Sequence, residues 1–467
     1  MIAIQEANLA TRWNPLYWQC ACLCVNSGSY VGEMGDEEDG EAEAEETETD
    51  EEAAGEEVVK RHVAPNYGKI ARAIADAQRA GVHIELPDIN RAQEDFVPDV
   101  ANNSILYSLR AINVVSEDLM AAIIANRPYE GIKQFFYLVR PTTLQMIGLI
   151  KAGCFDSLEK TPRRVQLLQF LQLLADEKYP LKDKLTIVQV KKAIELGWRP
   201  DWAENMVRMV KFQAYVAKNC VDSPNKRLIL SGKTYDFFKI FFEKQLNLAK
   251  NEYSFLPDGG VAVKQAAFTR VYNRSIAPMI EYFNSDEGRR EFQRLQQADF
   301  VNDLMSRKCA GTPEGWEFET MCFYSERHEL AGVNRGRYNI GTFADLPEHS
   351  DNKTRPVALV GIVADTNNTR HTVTLLTPDG IVDVKFFASA YTQYNQRISV
   401  VDPATKKKTV VDESWLKRGR RLIIYGVRNE NMFRIRRDTA SGFNRMVGLV
   451  EGMGSDGSLD IRWGRNK

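Results

Sequence analysis

Among residues whose spacing could do chemistry, Pro87-Asp88-Ile89-Asn90 has the outline of a paired-carboxylate site. Two-metal phosphoryl transfer needs carboxylates converging on ions about 4 Å apart. Here the second position is an amide, so Asp88 is not expected to ligate a metal. Cys20, Cys22 and Cys24 form a C-x-C-x-C run. A helix puts Cys20 and Cys24 on one face and turns Cys22 away, with no His or fourth thiol nearby, so small buried core residues are the expected reading. The histidines, at 62, 83, 328, 349 and 371, are scattered. Neither a catalytic residue nor a metal ligand is expected in this chain.

A second pattern concerns binding. In Ile381–Phe387, alternation puts Val382, Val384 and Phe386 on one face and Lys385 and Phe387 on the other. In Met432–Arg436, Phe433 and Ile435 lie opposite Arg434 and Arg436. From Arg355 to Arg437 there are 15 Lys or Arg against 7 Asp or Glu, a balance of +8. Basic and aromatic residues on one open face fit base stacking combined with backbone neutralisation of a single strand. Lys406-Lys407-Lys408, in a long loop, could track phosphates. The competing reading is a solvated basic face whose Phe387 packs beneath a loop.

The elements that must position these residues differ along the chain. Leu9, Trp13, Leu16, Tyr17, Cys20 and Leu23 recur at helical spacing. Residues 67–80 predict a helix ending at Gly81, and Ser116 caps a helix from Glu117 to Asn126. Short helices carry Phe135/Phe136 and Ile147/Ile150, and the pattern stays helical from about 161 to 330. Beyond 354 the period becomes two. The runs Val357–Asp365, His371–Thr377, Ile381–Phe387, Arg421–Val427 and Met432–Arg436, with helix Ala388–Asn395 after the third, follow the element order of an OB-fold. The predicted fold is multidomain α+β: a mostly helical N-terminal and central part with a hairpin region, then a C-terminal five-stranded OB-fold β-barrel.

The 467 residues have room for about three domains and a sizeable core. The net charge of −2 conceals an uneven distribution. Residues 33–57 hold 15 Asp or Glu and no Lys or Arg; the remainder has 61 basic against 48 acidic residues, a body of +13. The acidic stretch lacks aromatics and predicts a disordered linker. A basic body permits a polyanionic partner. No membrane span or secretory leader is visible, and seven cysteines without a CxxC pair argue against a disulfide framework, so a cytoplasmic setting is expected.

Trp13-Asn-Pro-Leu-Tyr-Trp18, Tyr67-Gly-Lys-Ile-Ala-Arg-Ala-Ile74, Leu86-Pro-Asp-Ile-Asn90, Ile105-Leu-Tyr-Ser-Leu-Arg-Ala-Ile112 and Leu149-Ile-Lys-Ala-Gly-Cys-Phe-Asp-Ser-Leu158 follow in an order that resembles the C-terminal part of a bacterial or phage-type DNA polymerase III alpha subunit, a C-family polymerase. The stretch Trp316–Leu330 and Val360-Gly-Ile-Val363 fit the same family. The resemblance implies the order end of fingers, helix-hairpin-helix, helical connector, OB-fold. It places Asp88 after the fingers and puts the catalytic carboxylates, with their Mg²⁺, in a palm absent from this chain. It implies duplex binding by the hairpin near 109–126, where the family's glycines align with Val114 and Ser116, leaving Arg110, Asn113 and Ser116 as phosphate candidates. Valine resists positive φ, so packing is the competing role for that loop. Gln296-Gln-Ala-Asp-Phe300 resembles the peptide that holds a sliding clamp, through Gln296 and Phe300, yet it falls in a run with helical periodicity that favours packing.

The expected segments are 1–32 (fingers end), 33–62 (acidic linker), 63–160 (hairpin region), 161–350 (connector), 351–440 (OB-fold) and 441–467 (tail). The expected partners are primer-template duplex and single-stranded template, a chain carrying the palm, and a clamp, with no membrane. A stand-alone nucleic-acid-binding accessory protein built from the same modules is the other reading.

Overall fold

The computed structural model describes residues 15–28, 65–222, 226–234, 236, 249, 251–351, 353–401, 408–438 and 445–464. The chain forms two compact units: Met1–Leu167 with Gly311–Lys467, and Leu168–Ala310. The acidic stretch 33–57, Leu9 and Trp13, and Lys406 and Lys407 lie outside the described residues.

In the first unit, helix Pro15–Asn26 buries Leu16, Cys20 and Leu23, one stripe of its surface. The Cys20 thiol donates to the Phe96 carbonyl at 3.3 Å, an environment of core packing. Helix Tyr67–Arg79 starts where the Asn66 side chain accepts from the Lys69 N–H and buries Ile70, Ala73, Ile74 and Ala77. Three short strands follow, β1 (His83–Glu85), β2 (Val97–Asp99) and β3 (Ser104–Leu106), in the order β1-β3-β2. Then come helices Glu117–Ala125, Ile132–Val139 and Thr143–Lys151, the last opened by a capping box of Thr142 and Gln145.

The second unit contains helices Ile187–Glu195, Glu204–Asn219, Gln265–Asn284 and Asp286–Lys308, around a core that includes Trp198, Phe212, Phe268, Met279, Phe283 and Phe292. It also contains a four-stranded antiparallel sheet that periodicity did not reveal: β4 (Val221–Asp222), β5 (Arg227–Leu230), β6 (Tyr253–Phe255) and β7 (Val261–Lys264), ordered β4-β5-β7-β6. Strands of two to four residues give too few alternations to outweigh the helical periodicity flanking them. The separate unit is also shorter than the expected connector of 161–350.

Helix Pro313–Met321 returns to the first unit, which then builds β8 (Val357–Asn367), β9 (Thr372–Thr377) and β10 (Gly380–Lys385). After helix Ala388–Asn395 comes a two-stranded arm, β11 (Ile398–Val401) with β12 (Lys408–Asp412), then β13 (Arg421–Asn429) and β14 (Met432–Ile435). Strands β8, β9 and β10 pair antiparallel in sequence, β10 pairs parallel with β14, and β14 and β8 both pair antiparallel with β13. These pairings close a five-stranded barrel with OB-type strand order. Residues expected to form a tail instead add β15 (Val447–Met453) to β13 and β16 (Leu459–Trp463) to β15. Val382, Val384, Phe386 and Phe433 lie inside the barrel with Leu375, Trp415 and Leu422.

Candidate nucleic-acid interface

Strand β8 is buried along most of its length, on both faces. Its inward Leu359 and Val363 join the barrel core, whereas Val360, Ile362 and Ala364 meet Phe318, Tyr324, Leu330 and Tyr338 outside it. The segment 318–340 therefore covers the β8–β13 side, and its dense apolar face explains why Val357–Ala364 reads as a continuous hydrophobic run. Helix Tyr67–Arg79 covers more of the barrel. Arg72 bonds both Asp383 carboxylate oxygens on β10, at 2.6 and 2.8 Å, and Gly68 lies so close to Asp365 that a Cβ would meet its side chain at 2.5 Å.

His328 fastens the covering segment. Its Nδ1 accepts from the Leu330 N–H at 3.0 Å, which leaves Nε2–H to donate to the Leu376 carbonyl at 3.1 Å. Burial disfavours the imidazolium and lowers its pKa from 6.5 to about 4. The unfolded chain takes up this proton near pH 6.5 and the folded chain near 4, so the stability is fully present above 6.5 and is lost as pH falls. Linkage gives a loss of about 2 kcal/mol between about pH 7.5 and 5. Urea unfolding at the two pH values should show this loss, and His328→Gln should flatten it. An equally steep pH dependence in the variant would locate the titration elsewhere.

Beyond the Arg72–Asp383 contact, the Lys385 end of β10 and its partner on β14 carry the predicted residues. Lys385 and Arg434 are Cα partners in the parallel ladder, with Arg434 exposed and Lys385 half-buried. The Lys385 ammonium donates to the Arg370 carbonyl, which brings the β8–β9 turn to the same place. Arg370 itself is exposed, and its guanidinium has no partner among the described residues. Arg370 was not among the expected binding residues; its signal was a basic residue in the turn Asn367-Asn-Thr-Arg370 beside the strand that pairs with β10.

Phe387 lies two residues beyond β10, at the N-cap of helix Ala388–Asn395, not within a strand. Its backbone keeps an extended conformation, φ −79° and ψ 150°, so the alternation continues: Phe386 is 1% exposed and Phe387 48% exposed. Arg436 donates to the Asp351 carbonyl at 2.8 Å and is half-buried, which ties it to the chain leading into the barrel. Lys408 is the exposed first residue of β12, so the expected long loop is in part a β-arm.

The hairpin candidates sit differently. Arg110 lies among Glu94, Asp95 and Glu117 at 3.3–3.4 Å, with its side chain 15% exposed. Asn113 donates to the Glu319 carbonyl at 2.8 Å. Ser116 caps helix Glu117–Ala125, accepting from the Leu119 N–H, and the first turn already carries Glu117 and Asp118. Val114 packs on Gly148, where a Cβ would meet a valine methyl at 2.4 Å. Thus the valine in the family's glycine position serves helix packing, and the nearby acids oppose a second anion. Asp88 accepts from the Asn90 and Arg91 N–H groups through Oδ1, and Asn90 bonds Tyr129, so internal bonds hold this turn.

Gln296 and Phe300 are in helix Asp286–Lys308, both half-buried. Phe300 packs edge-on against Tyr179 at 5.7 Å, and Lys178 lies 4.3 Å over its ring. The helix is the packing role that the run's periodicity favoured over a clamp peptide, which needs an extended, exposed backbone.

Residues 81–166 match the family model described as a helix-hairpin-helix motif. The chain therefore joins a helix-hairpin-helix region to a closed barrel of OB-type strand order. Two relatives align with nearly all of the chain: the probable DNA polymerase YorL of Bacillus subtilis strain 168 and the DNA-directed DNA polymerase of Bacillus phage SPbeta. Each is 30% identical over 481 residues, covering 99% of this chain and 34% of the relative. The DNA polymerase III subunit alpha of Caulobacter vibrioides is 32% identical over 107 residues, 21% of this chain and 9% of that protein. The chain spans about a third of the length of the first two relatives. The resemblance to the DNA polymerase III alpha subunit is thus matched by sequence similarity over about a fifth of the chain.

Proposed function

We propose that this chain is the template-holding portion of a replicative DNA polymerase of the alpha-subunit type. The observation that carries the reading is the Lys385–Arg434 end of the β10–β14 ladder, where the two cations are register partners and Phe387 stands exposed just beyond β10. The two cations neutralise backbone phosphates while the ring offers a stacking platform to any base. The hairpin region acts by position: with Arg110, Asn113 and Val114 committed to internal contacts, it supports the barrel more than it grips duplex. Polymerisation, with its Mg²⁺, belongs on this reading to a palm on a different stretch of polypeptide, and a sliding clamp is a partner of the assembled enzyme. The setting is the cytoplasm of a bacterium or phage-infected cell.

The charge contribution is read from salt dependence. Each cation that no longer neutralises a phosphate of a single strand lowers the slope of log K against log salt by about 0.7. Titrating the full chain into a labelled oligothymidylate should show that decrement for Lys385→Ala and again for Arg434→Ala. Slopes equal to that of the unaltered chain would remove both residues from the interface.

A further inference from the structure

The unit Leu168–Ala310 has a charged groove that the barrel reading does not use. The groove, of about 900 Å³, is lined by Lys226, Arg227, Lys264, Thr269, Arg270 and Asn273, among others. Arg227 on β5 and Lys264 on β7 are Cα partners in an antiparallel pair. Like charges placed directly opposite each other destabilise a sheet. Lys264 is also the N-cap of helix Gln265–Asn284, whose first turn contains no acid, so it adds positive charge where a helix favours negative charge. Lys226 adjoins them with φ +50°, its carbonyl accepting from the Gln265 N–H at 3.0 Å.

Nearby acid offsets only part of this charge. Arg270 pairs with both Glu252 oxygens, at 3.0 and 2.8 Å. On its other side Arg227 is the Cα partner of Asp222 on β4, so the groove's four cations, Lys226, Arg227, Lys264 and Arg270, stand against two acids, Asp222 and Glu252. An excess of cations gathered on one groove, two of them opposed across a β ladder, suits a polyanionic ligand that offsets the repulsion. Among the described residues the groove lining contains no aromatic side chain for a base to stack on.

We infer that this groove binds the sugar-phosphate backbone of duplex DNA, without reading sequence. Charge without stacking favours a duplex, whose bases are already stacked on one another, over a single strand. The site is independent of the barrel and deepens the polymerase reading by giving the second unit its own hold on the duplex.

The test uses the full chain and a labelled random-sequence duplex of about 30 base pairs, with an oligothymidylate as the second probe. Removing two phosphate-neutralising cations lowers the duplex salt slope by about 1.8 and weakens binding roughly tenfold or more at 50 mM salt. Arg227→Ala/Lys264→Ala should show this with the melting temperature nearly retained, because one like-charge and one opposite-charge cross-strand pair are removed together. Arg227→Gln alone, which keeps a long polar side chain, should lower the slope by about 0.9. Oligothymidylate binding should be reduced much less. An unchanged duplex slope in folded variants overturns the inference, and equal losses for both probes overturn the assignment to duplex. Failure of the barrel reading shows up separately, as oligothymidylate binding indifferent to Lys385 and Arg434.

Discussion

Glu317→Ala should destabilise the first unit by about 3 kcal/mol, the cost of removing one of two carboxylates from a buried guanidinium. Glu317, on the returning helix Pro313–Met321, is 6% exposed. It accepts from Arg163 at 2.9 Å, from the Ser325 N–H at 2.8 Å and from the Ser325 hydroxyl at 2.9 Å. Arg163, whose side chain is 10% exposed, also donates to Asp156 at 2.8 Å and to the Lys151 carbonyl at 3.2 Å. Beside it, Lys151 bonds Glu319 at 2.7 Å. This network joins the hairpin region to the segment that covers the barrel. Removing the carboxylate leaves the guanidinium partly unpaired and two Ser325 donors unsatisfied. Glu317→Gln retains one neutral acceptor oxygen for Ser325 and should lose less. Urea unfolding followed by tryptophan fluorescence measures both, since Trp316 is 1% exposed on the same helix. A loss under about 1 kcal/mol in the alanine variant would show that water replaces the carboxylate without penalty.

Phe387→Ala should weaken single-strand binding by about 1–3 kcal/mol, or roughly 5- to 150-fold. Stacking is worth that much per base, and Phe387 is placed to supply it: its neighbour Phe386 is anchored in the barrel, and its own carbonyl accepts from the Ala390 and Tyr391 N–H groups. The ring is thus held outward by a fixed backbone, which keeps the entropy cost of stacking small. Because the side chain is half exposed already, its removal should change folding stability far less than binding.

Much of the barrel was legible because period two persists there through strands of four residues or more. Phe386 and Phe433 inside, with Lys385 and Arg434 outside, followed from alternation alone. The cross-strand meeting of Lys385 with Arg434 did not, since a parallel pairing between distant strands leaves no local signal. The approach of the Arg370 turn to Lys385 was hidden for the same reason. The hairpin was legible as a location and less so as chemistry. Arg110 looked available until the fold brought Glu94, Asp95 and Glu117 around it, and Val114 looked misplaced until Gly148 made room for it. In the second unit, helical periodicity concealed β4–β7 and with them the Arg227–Lys264 pair. The segment Gln296–Phe300 had a binding motif's composition, but its neighbours' helical spacing was the stronger local determinant.

Whether the barrel holds single-stranded DNA by stacking as well as by charge is decided by one titration. It measures the affinity of the full chain for a labelled oligothymidylate across a salt series, with and without Phe387→Ala. Stacking at Phe387 gives two parallel lines of log K against log salt, because removing an uncharged ring releases no counterions. The variant's line lies lower at every concentration by the stacking contribution. Coincident lines from a folded variant would contradict the template-holding role given to Phe387, leaving a basic face with no stacking platform.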